Sequence, residues 1–159
     1  MDIPVTTAIR ALRAANAEFE PQVYDYAEHG GTDRASHELG VDEHATVKTI
    51  VMETDAKKPF IVLMHGDCEI STKQMARILG VKSVAPCTPD TATRHTGYLV
   101  GGTSPFGTRK PLPVYAEATI FDLPHIYING GRRGLLVKIA PGVLDRIVHP
   151  VRVSAAVPG

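Results

Sequence analysis

Apolar positions along this chain recur with two periods, and the switches between them are sharp. Near the N-terminus Val5, Ile9, Leu12 and Ala15 fall at helical spacing. Pro4 suits a first turn, and Pro21 closes the segment. Residues 22–26 (QVYDY) then alternate, with Tyr24 and Tyr26 on one face and Val23 on the other, which predicts a short strand. Thr32 can cap a brief helix over 33–39 that Gly40 ends. Residues 46–53 (TVKTIVME) and 59–65 (PFIVLMH) are β-branched or apolar runs separated by DAKK, and they predict a hairpin. A helix follows with both ends marked. Ser71 and Gln74 form a capping box, Met75, Ile78 and Leu79 form the buried stripe, and Gly80 stops it. Thr88–Pro89 opens another short helix that ends near Gly97. Strands are predicted over 114–121, 125–129 and 135–140. Pro141 opens a last helix (Leu144, Ile147, Val148) that stops at Pro150, and residues 150–159 read as a loose tail.

Strands dominate the middle, and several follow one another through short turns. That order departs from regular βαβ alternation and predicts an α+β single domain over 1–159, with one mixed, largely antiparallel sheet flanked by helices. The length of 159 residues suits one core. Hydrophobic residues make up 43% and charged residues 21%, and the longest apolar runs are far short of the ~20 residues that span a bilayer, so no membrane partner is expected. The N-terminus lacks the apolar core of a signal peptide. Cys68 and Cys87 are the two cysteines, a sparsity that fits a reducing compartment and a cytoplasmic location.

Charge changes the picture more than composition does. Residues 1–70 carry 6 Lys/Arg against 13 Asp/Glu, and residues 71–159 carry 11 against 4, so the zero net charge conceals halves of −7 and +7. An anionic partner facing the basic half is one reading; mixing of the halves in space is the other.

Most familiar chemistry is excluded by spacing. The histidines show no H-x-H or HExxH pattern, no CxxC occurs, and the single H-x-x-C of His65 and Cys68 lacks a second pair, so neither metal nor cofactor is expected. Ser104 sits in GTSPF, which is not a nucleophile elbow, and Cys87 lacks a Cys–His signature. Two glycine-rich stretches remain, VGGTSPFG at 100–107 and INGGRRG at 128–134. Such backbones let a ligand approach main-chain N–H groups, which can receive a phosphate, a carboxylate or a polarised carbonyl oxygen. The bland alternative is a bulge and a hairpin turn. Paired cations follow each stretch, Arg109–Lys110 and Arg132–Arg133. Lys48 stands in the middle of a predicted central strand, where it either snorkels outward or projects into a polar cavity.

TVKTIV, TGYLVGGTSPFG and YINGGRRGLLVKIAP, in this order and spacing, resemble the YbaK/EbsC family of free-standing aminoacyl-tRNA deacylases, relatives of the editing domain of bacterial prolyl-tRNA synthetase. The likeness runs from the first helix to about residue 147 and looks most like the Cys-tRNA(Pro) deacylase branch. It implies a compact fold around a barrel-like mixed sheet and release of a wrong amino acid from the tRNA 3′ end. The family's essential strand lysine falls on Lys48 and its glycine-rich backbone site on Gly101 and Gly102, which together form the expected catalytic set. Tyr24, Thr103, Ser104, Pro105, Gly107, Asn129, Gly130 and Gly131 are the expected substrate-binding residues. Two positions depart from the pattern: Asn129 stands where relatives carry a small residue, often serine, and Tyr26 where they often carry histidine. The expected partners are mischarged tRNA and, since the chain has no anticodon-reading module, prolyl-tRNA synthetase. Three other readings stay open: a nucleotide or RNA-end binding module without chemistry, a deacylase with Ala/Ser-tRNA specificity, and a small-ester hydrolase acting through Ser104.

Overall fold

The two long apolar runs lie side by side at the centre of the sheet. A computed structural model, describing residues 3–159, pairs β2 (Thr46–Thr54) with β3 (Pro59–His65) antiparallel in the register Val47↔His65 to Glu53↔Pro59. Alternation assigns β3 to two cores at once. Ile61 and Leu63 enter one apolar cluster, while Phe60, Val62 and Met64 enter another. Burial on both faces is why PFIVLMH reads as an unbroken apolar run.

The sheet grows outward from this pair. On one side lie β7 (Ile126–Arg132), β8 (Leu135–Ile139) and β1 (Glu20–Val23); on the other lie β6 (Val114–Glu117) and β9 (Val151–Val153). The ladders β2–β7, β3–β6 and β6–β9 are parallel and the rest antiparallel, so the sheet is mixed as expected. A short strand, β5 (Val84–Pro86), also pairs with β2, and β4 (Cys68–Ile70) pairs with β10 (Ala156–Pro158). Five helices flank the strands: α1 (Thr7–Ala14), α2 (Gly31–Leu39), α3 (Thr72–Leu79), α4 (Pro89–Thr96) and α5 (Gly142–Ile147). The cap signals at two of them hold. The Ser71 hydroxyl accepts from Gln74 N (3.1 Å) and the Thr88 hydroxyl from Thr91 N (3.4 Å), while Gly80 and Gly97 close α3 and α4 in the left-handed region.

Local readings differ in several places. Val5 lies before α1 and is exposed, and Ile78, expected in the buried stripe of α3, is exposed as well. Tyr24 and Tyr26 lie beyond β1, which ends at Val23 because Tyr24 N donates instead to Gly134 O in the β7–β8 turn. Thr32 does not cap α2; its hydroxyl donates to Glu43 and to Gly66 O. The strand expected over 114–121 turns into a 3-10 helix at Ala118. The stretch expected to be a loose tail is instead paired through β9 and β10. Val153 and Ala155 are buried, and Ala155 N donates to the buried Glu117 carboxylate (2.7 Å). No helix among the described residues is long and apolar enough to cross a membrane.

Candidate active site

β2 is not paired along its whole outer edge. β7 reaches only Thr46 and Val47, and β5 only Met52 to Thr54, so Lys48–Val51 face no strand on that side. A cavity of about 750 Å³ opens there. Lys48, Tyr24, Gly101, Thr103 and Asn129 all line it, brought together from four separate regions of the chain. Lys48 does not snorkel free: its side chain keeps only 21% exposure, and its nearest carboxylate is Glu69, 70% exposed, at 3.9 Å. The next residue, Thr49, also lines the cavity, and its buried hydroxyl has no protein partner. No sequence signal pointed to Thr49 or Glu69.

Segment 98–107 is a braced wall. Leu99 O accepts from Gly102 N (2.8 Å), Val100 O from Arg133 Nε (2.9 Å), and Gly101 O from Asn129 Nδ2 (3.0 Å). The Tyr98 hydroxyl donates to Phe106 O, and burial pushes its pKa up to about 12. Gly101 has φ +91°, where a side chain would be strained, and a Cβ there would meet the Tyr26 hydroxyl at 2.6 Å. The Arg133 guanidinium sits 5.2 Å from the centre of the Tyr26 ring. Both departures from the family pattern, Tyr26 and Asn129, therefore converge on Gly101.

The remaining expected residues belong to the wall itself or to the β7 bulge that braces it. Gly102, Ser104, Pro105, Gly107, Gly130 and Gly131 do not line the cavity. The Gly102 amide is already used by Leu99 O; among the described residues, the amides of Gly101 and Thr103 have no protein acceptor. Ser104 is fully buried and its hydroxyl accepts from Phe106 N (3.1 Å), the geometry of a turn. We expect Ser104→Ala to retain deacylation within about threefold of wild type, since only a local turn bond is lost; loss of all turnover with an unchanged Tm would restore the serine as a nucleophile. Gly130 and Gly131 form a bulge in β7, between Asn129↔Leu136 and Arg132↔Leu135. Asn129 Oδ1 holds it by accepting from Gly131 N (2.7 Å) and Arg132 N (3.1 Å).

The ionisable groups argue against an enzyme nucleophile. Cys87 lines the cavity, but burial, aided by Glu53, pushes its thiol up to about 11. Burial and the negative charge of Asp67 also raise the Cys68 thiol. Tyr24 is raised by burial, which the Gly134 backbone only partly offsets. His65 is no ligand partner for Cys68: its ring nitrogens are engaged by His44 O and the Thr119 hydroxyl, both at 2.7 Å. Among the described residues, the trio that could hold a metal ion is His44, Asp67 and Cys68, with ligand atoms within 4.8 Å of one another. The sequence hid this grouping because His44 lies on a different segment.

A cleft at an incompletely paired strand edge, lined by Lys48, Arg34 and Arg133 and by backbone amides without a protein acceptor among the described residues, suits an anionic or polarised ligand. Residues 30–147 match the aminoacyl-tRNA editing domain family, and the chain belongs to that family of aminoacyl-tRNA deacylases. It is similar to EbsC of Enterococcus faecalis, described as a Cys-tRNA(Pro)/Cys-tRNA(Cys) deacylase, with 26% identity over 137 residues that cover 86% of this chain and 84% of that one. It is also similar to proline–tRNA ligase of Brachyspira hyodysenteriae, 25% identical over 92 residues, which cover 58% of this chain but 16% of the ligase. Among solved structures, one described as a trans-editing enzyme for prolyl tRNA synthetase superposes with a TM-score of 0.83 at 20% identity, covering 98% of this chain and 99% of that one. Another, of a hypothetical protein, gives a TM-score of 0.86 at 20% identity, covering 95% and 99%.

Proposed function

We propose that the protein edits mischarged tRNA(Pro) in trans, removing cysteine from its 3′ end. The observation that carries this reading is that Lys48 and Gly101, whose amide has no protein acceptor, line one cavity in which the thiol of Cys87 is pushed up to about 11 by burial. Lys48 pairs with a phosphate or hydroxyl oxygen of the terminal adenosine. The amides of Gly101 and Thr103 receive the ester carbonyl oxygen as it gains charge.

The attacking group is the substrate's own thiol. Its sulfur bonds to the carbonyl carbon, the ester C–O bond breaks, and the ribose oxygen leaves with the thiol proton, giving free tRNA and a thiolactone. Intramolecular attack of this kind has effective molarities of roughly 10⁵ M or more in good cases, so positioning can replace an enzyme nucleophile. Water attacking the same carbonyl is the slower route open to alanine and serine esters. Selection by a synthetase pocket explains the need for such a step, because a methylene-sized difference is worth only about 1–3 kcal/mol. Prolyl-tRNA synthetase is the proposed partner that delivers the tRNA.

Single-turnover deacylation of Cys-tRNA(Pro), Ala-tRNA(Pro) and Ser-tRNA, with and without prolyl-tRNA synthetase, tests the reading. We expect the cysteinyl ester to be cleaved fastest. Deacylation of none of the three above the uncatalysed rate, with salt-dependent RNA binding, would leave a binding module instead.

A further inference from the structure

Three consecutive carbonyls at the cavity rim, those of Leu99, Val100 and Gly101, are tied to Gly102 N, Arg133 Nε and Asn129 Nδ2. The backbone tip is thereby fixed, yet its two apolar side chains point into solvent, Leu99 at 61% and Val100 at 44% exposure. A rigid support for exposed aliphatic groups at the mouth of a site is a surface awaiting a partner.

Charge identifies the partner's chemistry. Exposed Arg132 and Arg133 flank the tip, with Arg133 Nε on Val100 O, and exposed Arg109 and Lys110 stand at the end of α4, where Lys110 Nζ meets His95 Nδ1 at 3.1 Å. Arg109 N bonds to Thr96 O, its side chain lies 3.7 Å from where a Gly97 Cβ would stand, and the Arg132 backbone packs against Gly102. None of these four cations pairs with a carboxylate among the described residues. Elsewhere in the lining of the same cavity, Glu28, Asp33, Glu43 and Glu69 outnumber Arg34, which is itself paired with Glu38 at 3.3 Å. A polyanion is thus favoured at the tip and disfavoured along that part of the lining.

We propose that the Leu99–Val100 tip is a seat for the single-stranded nucleotides that lead into the cavity, with base faces against the two aliphatic side chains and phosphates on the flanking cations. The proposal rests on the deacylase reading, in which the terminal adenosine enters the cavity. It adds that the two nucleotides before that adenosine are held by this tip. Base contacts of this kind are sequence-tolerant, and the cation contacts are salt-dependent.

The test is binding, and it needs no turnover. NMR titration of the wild type with the trinucleotide CCA and with AMP should give a CCA Kd at least about tenfold lower, the order of one base contact. In Leu99→Ser/Val100→Ser this advantage should fall to about twofold while Tm stays within about 2 °C, because both side chains are exposed. In Arg109→Gln/Lys110→Gln the salt dependence of CCA binding should flatten by roughly one unit of log–log slope. Equal affinity for CCA and AMP in the wild type, or an advantage kept by the serine variant, overturns the proposal. So does a serine variant that binds CCA normally but no longer binds prolyl-tRNA synthetase, which would make the tip a protein-docking surface. Failure of the deacylation panel with CCA preference intact would sink the enzyme reading and leave the seat standing.

Discussion

Lys48→Ala should lose at least ~100-fold in single-turnover deacylation and shift Tm by no more than about 2 °C. The two halves of this expectation have separate causes. Stability is spared because the ion pair with Glu69 is long, at 3.9 Å, and the carboxylate is mostly in water, a pairing that contributes little. The alkyl stem loses some contact, but the side chain lines a cavity and is not packed in a core. Activity falls because Lys48 is the cation on the unpaired stretch of β2, positioned by a rigid central strand whose ladder to β3 runs seven residues. A single preorganised donor to developing or anchoring charge is commonly worth 10²–10³-fold. Lys48→Arg should recover part of the rate, since it keeps the charge but not the length or the single-point geometry. A Lys48→Ala enzyme at near wild-type rate would remove the residue from the mechanism.

The sequence carried the central hairpin and the capped helices because each has a short-range physical signature; whether Lys48 snorkels or faces a cavity it left open, and the expected role of that lysine came from the family resemblance. PFIVLMH can only be a strand buried on both faces, and Ser71 with Gln74 can only be a helix start. What it did not carry depends on distant pairing. Val151–Val153 looks like a dispensable tail until Tyr115–Glu117 is placed alongside it and Glu117 is seen to need the Ala155 amide. The edge gap in β2 is equally silent, since it arises from where β7 and β5 stop pairing. The family pattern marked Tyr26 and Asn129 as isolated departures. Geometry makes them one feature, because Asn129 binds the Gly101 carbonyl and Tyr26 stands where a Gly101 side chain would be.

Gly102 is the sharpest such case, and Gly102→Ala should lower Tm by about 2–12 °C. The sequence expectation was that the paired glycines leave room for a ligand. Gly102 instead leaves room for the protein: a Cβ there would lie 2.8 Å from Arg133 N, 2.9 Å from Arg132 C and 3.0 Å from Arg132 Cα. Those are backbone atoms of the β7 bulge and its turn, so no rotamer change relieves the overlap. The chain must part the 98–107 wall from β7, which strains the bond from Arg133 to Val100 O and the one from Asn129 to Gly101 O. Overpacking of this sort costs about 1–3 kcal/mol, and a chain of this size loses about 2–4 °C per kcal/mol. Activity should fall with stability, because the same displacement moves Gly101 away from Lys48. The two explanations for the glycine then separate cleanly. Were Gly102 kept small for a substrate, alanine would slow deacylation and leave Tm untouched. A variant that melts like the wild type but cannot cleave its ester would return Gly102 to the substrate's side of the wall.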